Sequence, residues 1–336
     1  MQKTIFNAPL HAQTLDTLPT RARILDNARF DWTFTLLSIF FVFGLFLDGW
    51  AHTHGQVDQS FFTPWHGVLY SAHLLVLLFL SANILVNVRR GFSLAHALPN
   101  GYLLSFVGAL LFIGGGVGDL IWHTLFGVEQ NVEALYSPTH LLLAGAAMLI
   151  VTGPLRAAWQ RGETPTHFRA QLPVVIALTL TLSVLTFFTQ IAYPLANLWG
   201  SNAWYPSPAL NAELGVVSLQ LSAALITGFV LFALHRFPLA LGALSLLLGI
   251  NALAMGALYD QGAYPLLPVL AFVSAGVVAD FLLHVLKVSP ARTNALRVFA
   301  FALPALLIGF YFGALELTQG VWWAIHLSAG SIVMAG

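Results

Sequence analysis

The sequence predicts an all-α, polytopic integral membrane helix bundle of about nine to ten transmembrane segments. Three observations carry this reading. Of 336 residues, 58% are hydrophobic and only 8% charged, whereas soluble domains carry roughly 25% charged residues. The mean hydropathy is +0.82. The apolar residues also fall in long runs between short polar breaks, and a spanning helix needs about 20 such residues.

In chain order the runs lie near 33–52, 66–88, 102–123, 138–158, 172–193, 211–234, 238–258, 265–287, 296–317 and 321–336. The tenth has sixteen residues. At about 1.5 Å per residue it falls short of a hydrocarbon core of roughly 30 Å, so it reads as a partial or tilted span. Residues 1–31 are polar and lack the pattern of a cleavable signal. They are expected to form a cytoplasmic N-terminal tail ahead of a single transmembrane domain over 32–336. The absence of cysteine excludes disulfides and thiolate metal sites. No basic run suits a nucleic acid, so the expected surroundings are lipid and membrane partner subunits.

Alternating the ten segments across a bilayer places all 13 basic residues, from Lys3 to Arg297, on one side. By the positive-inside rule that side is cytoplasmic, in a plasma (inner) membrane. The periplasmic or extracellular side then holds Asp48, Asp58, Asp119, Glu129, Glu133, Glu213, Asp260 and Glu316 with no Lys or Arg. It also holds His52, His54, His66, His123, His140 and His326. Many Trp and Tyr residues there read as an interfacial belt. Carboxylates near lipid without basic partners must be protonated, hydrated, paired with an imidazolium or bound to a cation.

The polar punctuation recurs. Asp48, Asp119, Gln190, Asp260 and Glu316 sit near the outer ends of successive odd-numbered segments, at intervals of 71, 71, 70 and 56. The next segments open with TPWHG, SPTHL and WAIHL in the first, second and fifth cases. This gives five repeated helical hairpins, although two membrane crossings would impose a similar period on unrelated hairpins. Thr63-Pro64 and Ser137-Pro138 are helix starts, with a hydroxyl at the cap and proline at the first helical position. His66 and His140 then fall in first turns. The pairs Asp48/His52 and Asp119/His123, spaced i,i+4, fall in the last turns of the preceding helices.

Two three-ligand sets result: Asp48, His52, His66 and Asp119, His123, His140. The plain alternative is that each Asp–His pair is a hydrogen-bonded helix end. Four further residues join the candidates. His73 lies two turns deeper on the face of His66. Glu133 stands beside the second set, where it is either an extra ligand or loop solvation. Glu316 and His326 hold the corresponding places in the fifth hairpin. Asp280 and His284 repeat the spacing at the cytoplasmic side, where Lys287 and Arg292 supply positive charge. The long outer stretch 193–213 is either a lid or an interfacial anchor.

Histidine and carboxylate ligands suit a transition metal ion such as copper(II), zinc, iron or manganese, whereas copper(I) transport normally recruits Cys and Met. Asp48–His52–His66 and Asp119–His123–His140 resemble the Asp-x₃-His…His copper site in the C subunit of particulate methane and ammonia monooxygenases. Here thirteen and sixteen residues separate the paired histidines, and the ten-segment architecture departs from that subunit. The resemblance implies copper as the preferred metal, with zinc or iron as alternatives, and oxidative chemistry.

The leading expectation is therefore a membrane metalloprotein with one or two metal centres near the outer face, in the oxidoreductase class. Three other classes stay open. A transporter would need a polar path at depth, for which His73, Asn83, Gln220, Asn251 and the hydroxyls between Thr179 and Thr189 are the candidates. Haem binding would use His66, His73 or His140 as axial ligands. A structural subunit would dock a basic partner on the acidic outer face.

Overall fold

The computed structural model describes residues 27–56, 61–127, 133–162, 167–202, 208–259 and 266–336. All regular structure there is helical. The helices are α1 (Asn27–Thr53), α2 (Pro64–Arg89), α3 (Leu103–Phe126), the single turn α4 (Glu133–Tyr136), α5 (Pro138–Val151) and α6 (Gly153–Arg161). They continue as α7 (Phe168–Phe188), α8 (Pro208–Arg236), α9 (Ala243–Tyr259), α10 (Leu266–Val285), α11 (Thr293–Thr318) and α12 (Ile325–Ala335). Each of the ten apolar runs is thus helical. Among the described residues seven helices are long and apolar enough to cross a membrane, or eight if the bent pair α5 and α6 is one span. The protein is a multi-pass membrane helix bundle. The helices α9 and α12, with 17 and 11 residues, are the short ones. Val321–Ala324 precede the first turn of α12 rather than belonging to it, which is why the tenth run makes only a brief helix.

The 40° bend between α5 and α6 has an identifiable cause. Pro154 has no N–H to give to the Ile150 carbonyl, so the helical ladder is interrupted there. Side chains take over: Ser105 on α3 donates to the Ile150 carbonyl at 3.0 Å, and Arg156 Nη2 donates to Leu149 O at 2.9 Å. A backbone carbonyl at membrane depth must find such a donor.

The chain divides into a first group of helices, α1 to α6, and a second, α7 to α12, that meet along α7. In the first, α1 pairs with α2 and α3 with α5. Glycines allow these close approaches. A Cβ on Gly44 would stand 2.9 Å from the Leu69 backbone, and one on Gly108 would stand 2.8 Å from the Ala146 carbonyl oxygen. At the end of this group where α1 begins, buried Asp31 accepts from Tyr102 Oη at 2.6 Å and pairs with Arg161 at 2.5 Å. These contacts tie α1, α3 and α6 together at the basic end of the bundle.

In the second group several buried polar side chains satisfy one another. Asn251 donates to Thr186 Oγ1 at 2.7 Å and accepts from Tyr193 Oη at 3.0 Å. Tyr259 donates to Gln190. The outer stretch after α7 packs against the end of α11: Ser201 bridges Val321, and the Trp322 indole donates to the Trp199 carbonyl at 2.9 Å. Residues 199–202 of the outer stretch pack on Val321 and Trp322; residues 203–207 lie outside the description.

Candidate metal centre

The first set is built at one helix–helix corner. Asp48 and His52 sit one turn apart at the end of α1. Thr63 caps α2, its Oγ1 accepting the His66 N–H at 3.1 Å, and Pro64 opens the helix. The cap fixes His66 at the third helical position, facing α1. Its Nδ1 lies 2.7 Å from the Phe61 carbonyl oxygen. A carbonyl can only accept, so Nδ1 carries a proton, and in the neutral ring Nε2 presents its lone pair. That lone pair points at Asp48 Oδ2, 3.4 Å away. Asp48 is 9% exposed, and its Oδ1 has no hydrogen-bond partner among the described residues.

The second set repeats the construction. Ser137 Oγ accepts the His140 N–H at 3.3 Å as the cap of α5. His123 Nδ1 faces the Gly127 carbonyl at 3.2 Å, so in the neutral ring its Nε2 directs a lone pair at Asp119 Oδ2, 3.3 Å away. The other carboxylate oxygen lies 3.3 Å from His140 Nδ1 and accepts from Thr139 Oγ1 at 2.9 Å. Asp119 is 1% exposed. The paired imidazoles, His52 with His66 and His123 with His140, are 5.9 Å apart between ring centroids in both sets.

In each set, three ligand atoms, one from each residue, lie within 4.8 Å of one another. An anionic oxygen and a nitrogen lone pair that face each other repel unless a proton or a metal cation stands between them. All the basic side chains of the described helices lie at the far ends, so none reaches either carboxylate. The donor set of two imidazoles and one carboxylate, with no sulfur, fits a borderline transition metal ion.

No known protein family, curated protein or solved structure matches this chain. The site's chemistry therefore stands on its own geometry.

The remaining sequence candidates are placed elsewhere. His73 is buried between α2 and α3, its Nε2 2.9 Å from the Ala109 carbonyl and its ring stacked on Phe112 at 4.8 Å. It joins neither set. Glu133 lies in the turn α4, with its side chain outside the description, as is Glu129. Glu316 is exposed and accepts the Val321 N–H at 3.2 Å. His326 is exposed in the first turn of α12, whose cap position is Ala324 and offers no hydroxyl. The fifth hairpin thus has the sequence signature without the assembled geometry. In the third, the position of the aspartate is Gln190, bonded to Tyr259 and to the Phe187 carbonyl. Asp58 and Asp260 lie outside the described residues.

Asp280 and His284 have another role. Asp280 Oδ2 accepts from Gly242 N–H at 2.7 Å, Ser245 N–H at 3.1 Å and Ser245 Oγ at 2.8 Å. This carboxylate caps the start of α9 from the side of α10.

Two neighbours of the sets have no sequence motif to announce them. Phe61 stacks on His66 with ring centroids 4.9 Å apart and lies 6.3 Å from His123. Tyr70, one turn beyond His66 on α2, has its ring 6.2 Å from that imidazole. The i,i+4 spacing of His66 and Tyr70 was the only available signal for it.

Proposed function

We propose that this protein is an integral membrane metalloprotein that binds a transition metal ion, copper by preference, near the outer face of the plasma membrane. The observation that carries the reading is the tautomer of His66 and of His123. In each, a main-chain carbonyl takes the Nδ1 proton, and the Nε2 lone pair is aimed at a buried carboxylate of its own set. A neutral Asp–His hydrogen bond would present N–H to the carboxylate instead; with the imidazoles neutral, a metal ion between the nitrogen lone pair and the carboxylate accounts for both orientations. Asp48, His52, His66, Asp119, His123 and His140 would hold the ions. Copper there would supply one-electron redox chemistry, which puts the protein in the oxidoreductase class in keeping with the Asp-x₃-His…His resemblance. The chain's own contribution is to orient the imidazoles, place a carboxylate beside them and keep competing cations such as Lys and Arg out of reach.

The outer location follows from charge. Both sets lie at the end of the bundle opposite its basic residues, which favours the cytoplasm for the basic end. The test of function is direct: full-length protein in detergent is loaded with copper, zinc or iron, desalted, and analysed for metal. Stoichiometric copper retained against a moderate chelator is expected. Retention no greater than that of a variant lacking all six ligands would refute the proposal.

A further inference from the structure

The first two hairpins match in contacts as well as in sequence. Phe41, Gly44, Asp48 and His52 recur 71 residues later as Phe112, Gly115, Asp119 and His123, while Thr63, His66 and Leu69 recur 74 residues later as Ser137, His140 and Leu143. Several equivalent residues make corresponding contacts, although the carboxylate faces Nε2 of His66 and Nδ1 of His140. The hydroxyl caps the histidine N–H in both, and the carboxylate faces that histidine in both. The glycine meets the equivalent leucine in both, with a built Cβ 2.9 Å from Leu69 Cα and 2.8 Å from Leu143 Cδ2.

Phe41 and Phe112, equivalent positions in the two hairpins, pack edge to face with centroids 5.0 Å apart. When two copies of a unit are related by a twofold axis, equivalent residues touch each other at that axis. Asp48 and Asp119 lie two helical turns outward from these phenylalanines on the same helices, so both sets flank the same line. One further contact agrees. The Phe61 ring reaches from His66 of the first set to His123 of the second.

We infer that the two sets form one two-ion pocket, in which metal ions held by α1–α2 and by α3–α5 face each other across a pseudo-twofold axis. This rests on the metal-binding reading above and adds nuclearity to it. The symmetry is broken by one side chain. Tyr70 has Ala144 as its equivalent, and Gly116, against which its hydroxyl packs 2.6 Å from a built Cβ, has Leu45. Among the described residues, the pocket therefore has the Tyr70 phenol on the α2 side and no counterpart on the α5 side.

Copper(II) alone is the probe. Full-length protein in detergent is expected to bind two Cu(II) ions per chain, with an electron paramagnetic resonance spectrum broadened by dipolar coupling and with shortened spin relaxation. Diluting the copper with a tenfold excess of Zn(II) should remove both effects without any mutation. His66→Ala and His140→Ala should each leave one ion with an uncoupled spectrum. Two ions without coupling, or a single ion per unmutated chain, would overturn the shared pocket while leaving metal binding intact. No retained copper would overturn both.

Discussion

The Asp119 carboxylate stands 3.3 Å from His140 Nδ1, across a helix–helix corner that Ser137 caps and Pro138 opens. Asp280 and His284 also lie 3.3 Å apart, but that carboxylate already accepts three hydrogen bonds at the start of α9. The two pairs share a spacing and differ in every partner. Asp119→Asn, His123→Ala and His140→Ala should each weaken copper binding at their set by at least about 10–100-fold. Asp280→Ala should leave copper content unchanged and cost about 2 kcal/mol of stability, because it strands buried donors. Metal analysis and thermal unfolding of the same preparations separate these outcomes; copper lost in Asp280→Ala and kept in His140→Ala would reverse the assignment.

Metal retention should fall with acid. Imidazole ligates only when neutral, and histidine side chains ordinarily take up a proton near pH 6.5, at about which protons begin to displace the ion. Lowering the pH protonates the ligand nitrogens and releases metal; raising it restores binding. Dialysis against a fixed chelator at pH 5 and at pH 8 should show copper lost only at pH 5. Equal retention at both would exclude histidine ligation.

Gly44 sets how closely α1 approaches α2. A Cβ there would press on the Leu69 backbone, which cannot swing aside as a side chain can. Gly44→Ala should therefore destabilise by about 1–3 kcal/mol, and it should weaken copper binding by moving Asp48 away from His66. Gly114, with open space where its Cβ would go, is the control. Gly114→Ala should raise stability by about 0.5–1 kcal/mol through helix propensity alone. Thermal melts of apo and copper-loaded protein would read both effects, and similar behaviour of the two variants would dismiss the close approach as a determinant.

The chain has no cysteine, so single cysteines report topology cleanly. Gln56→Cys, beside the first set, should react with a membrane-impermeant maleimide in intact cells. His96→Cys, between α2 and α3 at the basic end, should react only after permeabilisation. Labelling of both from outside would contradict the positive-inside assignment.

The sequence by itself determined the membrane bundle, its ten helical runs and the residue types of both sets. Hydrophobic run length, proline placement and i,i+4 spacing are local properties, and a bilayer enforces them directly. It also placed His66 and His140 in first turns, because Thr63-Pro64 and Ser137-Pro138 write the caps in adjacent residues. Tertiary structure decided the rest. The equal spacing of Asp280 and His284 became a helix cap because Gly242 and Ser245, 38 and 35 residues away, supply donors there. His73 became a packing residue because α3 brings it the Ala109 carbonyl. Glu316 and His326 did not assemble as the first two sets did: the Glu316 carboxylate accepts the Val321 N–H, and α12 starts without a hydroxyl cap. The orientation of each imidazole depends on the carbonyls of Phe61 and Gly127. Main-chain carbonyls are present at every residue, so only the folded path of the chain selects which one takes the proton and which nitrogen is left to face the carboxylate.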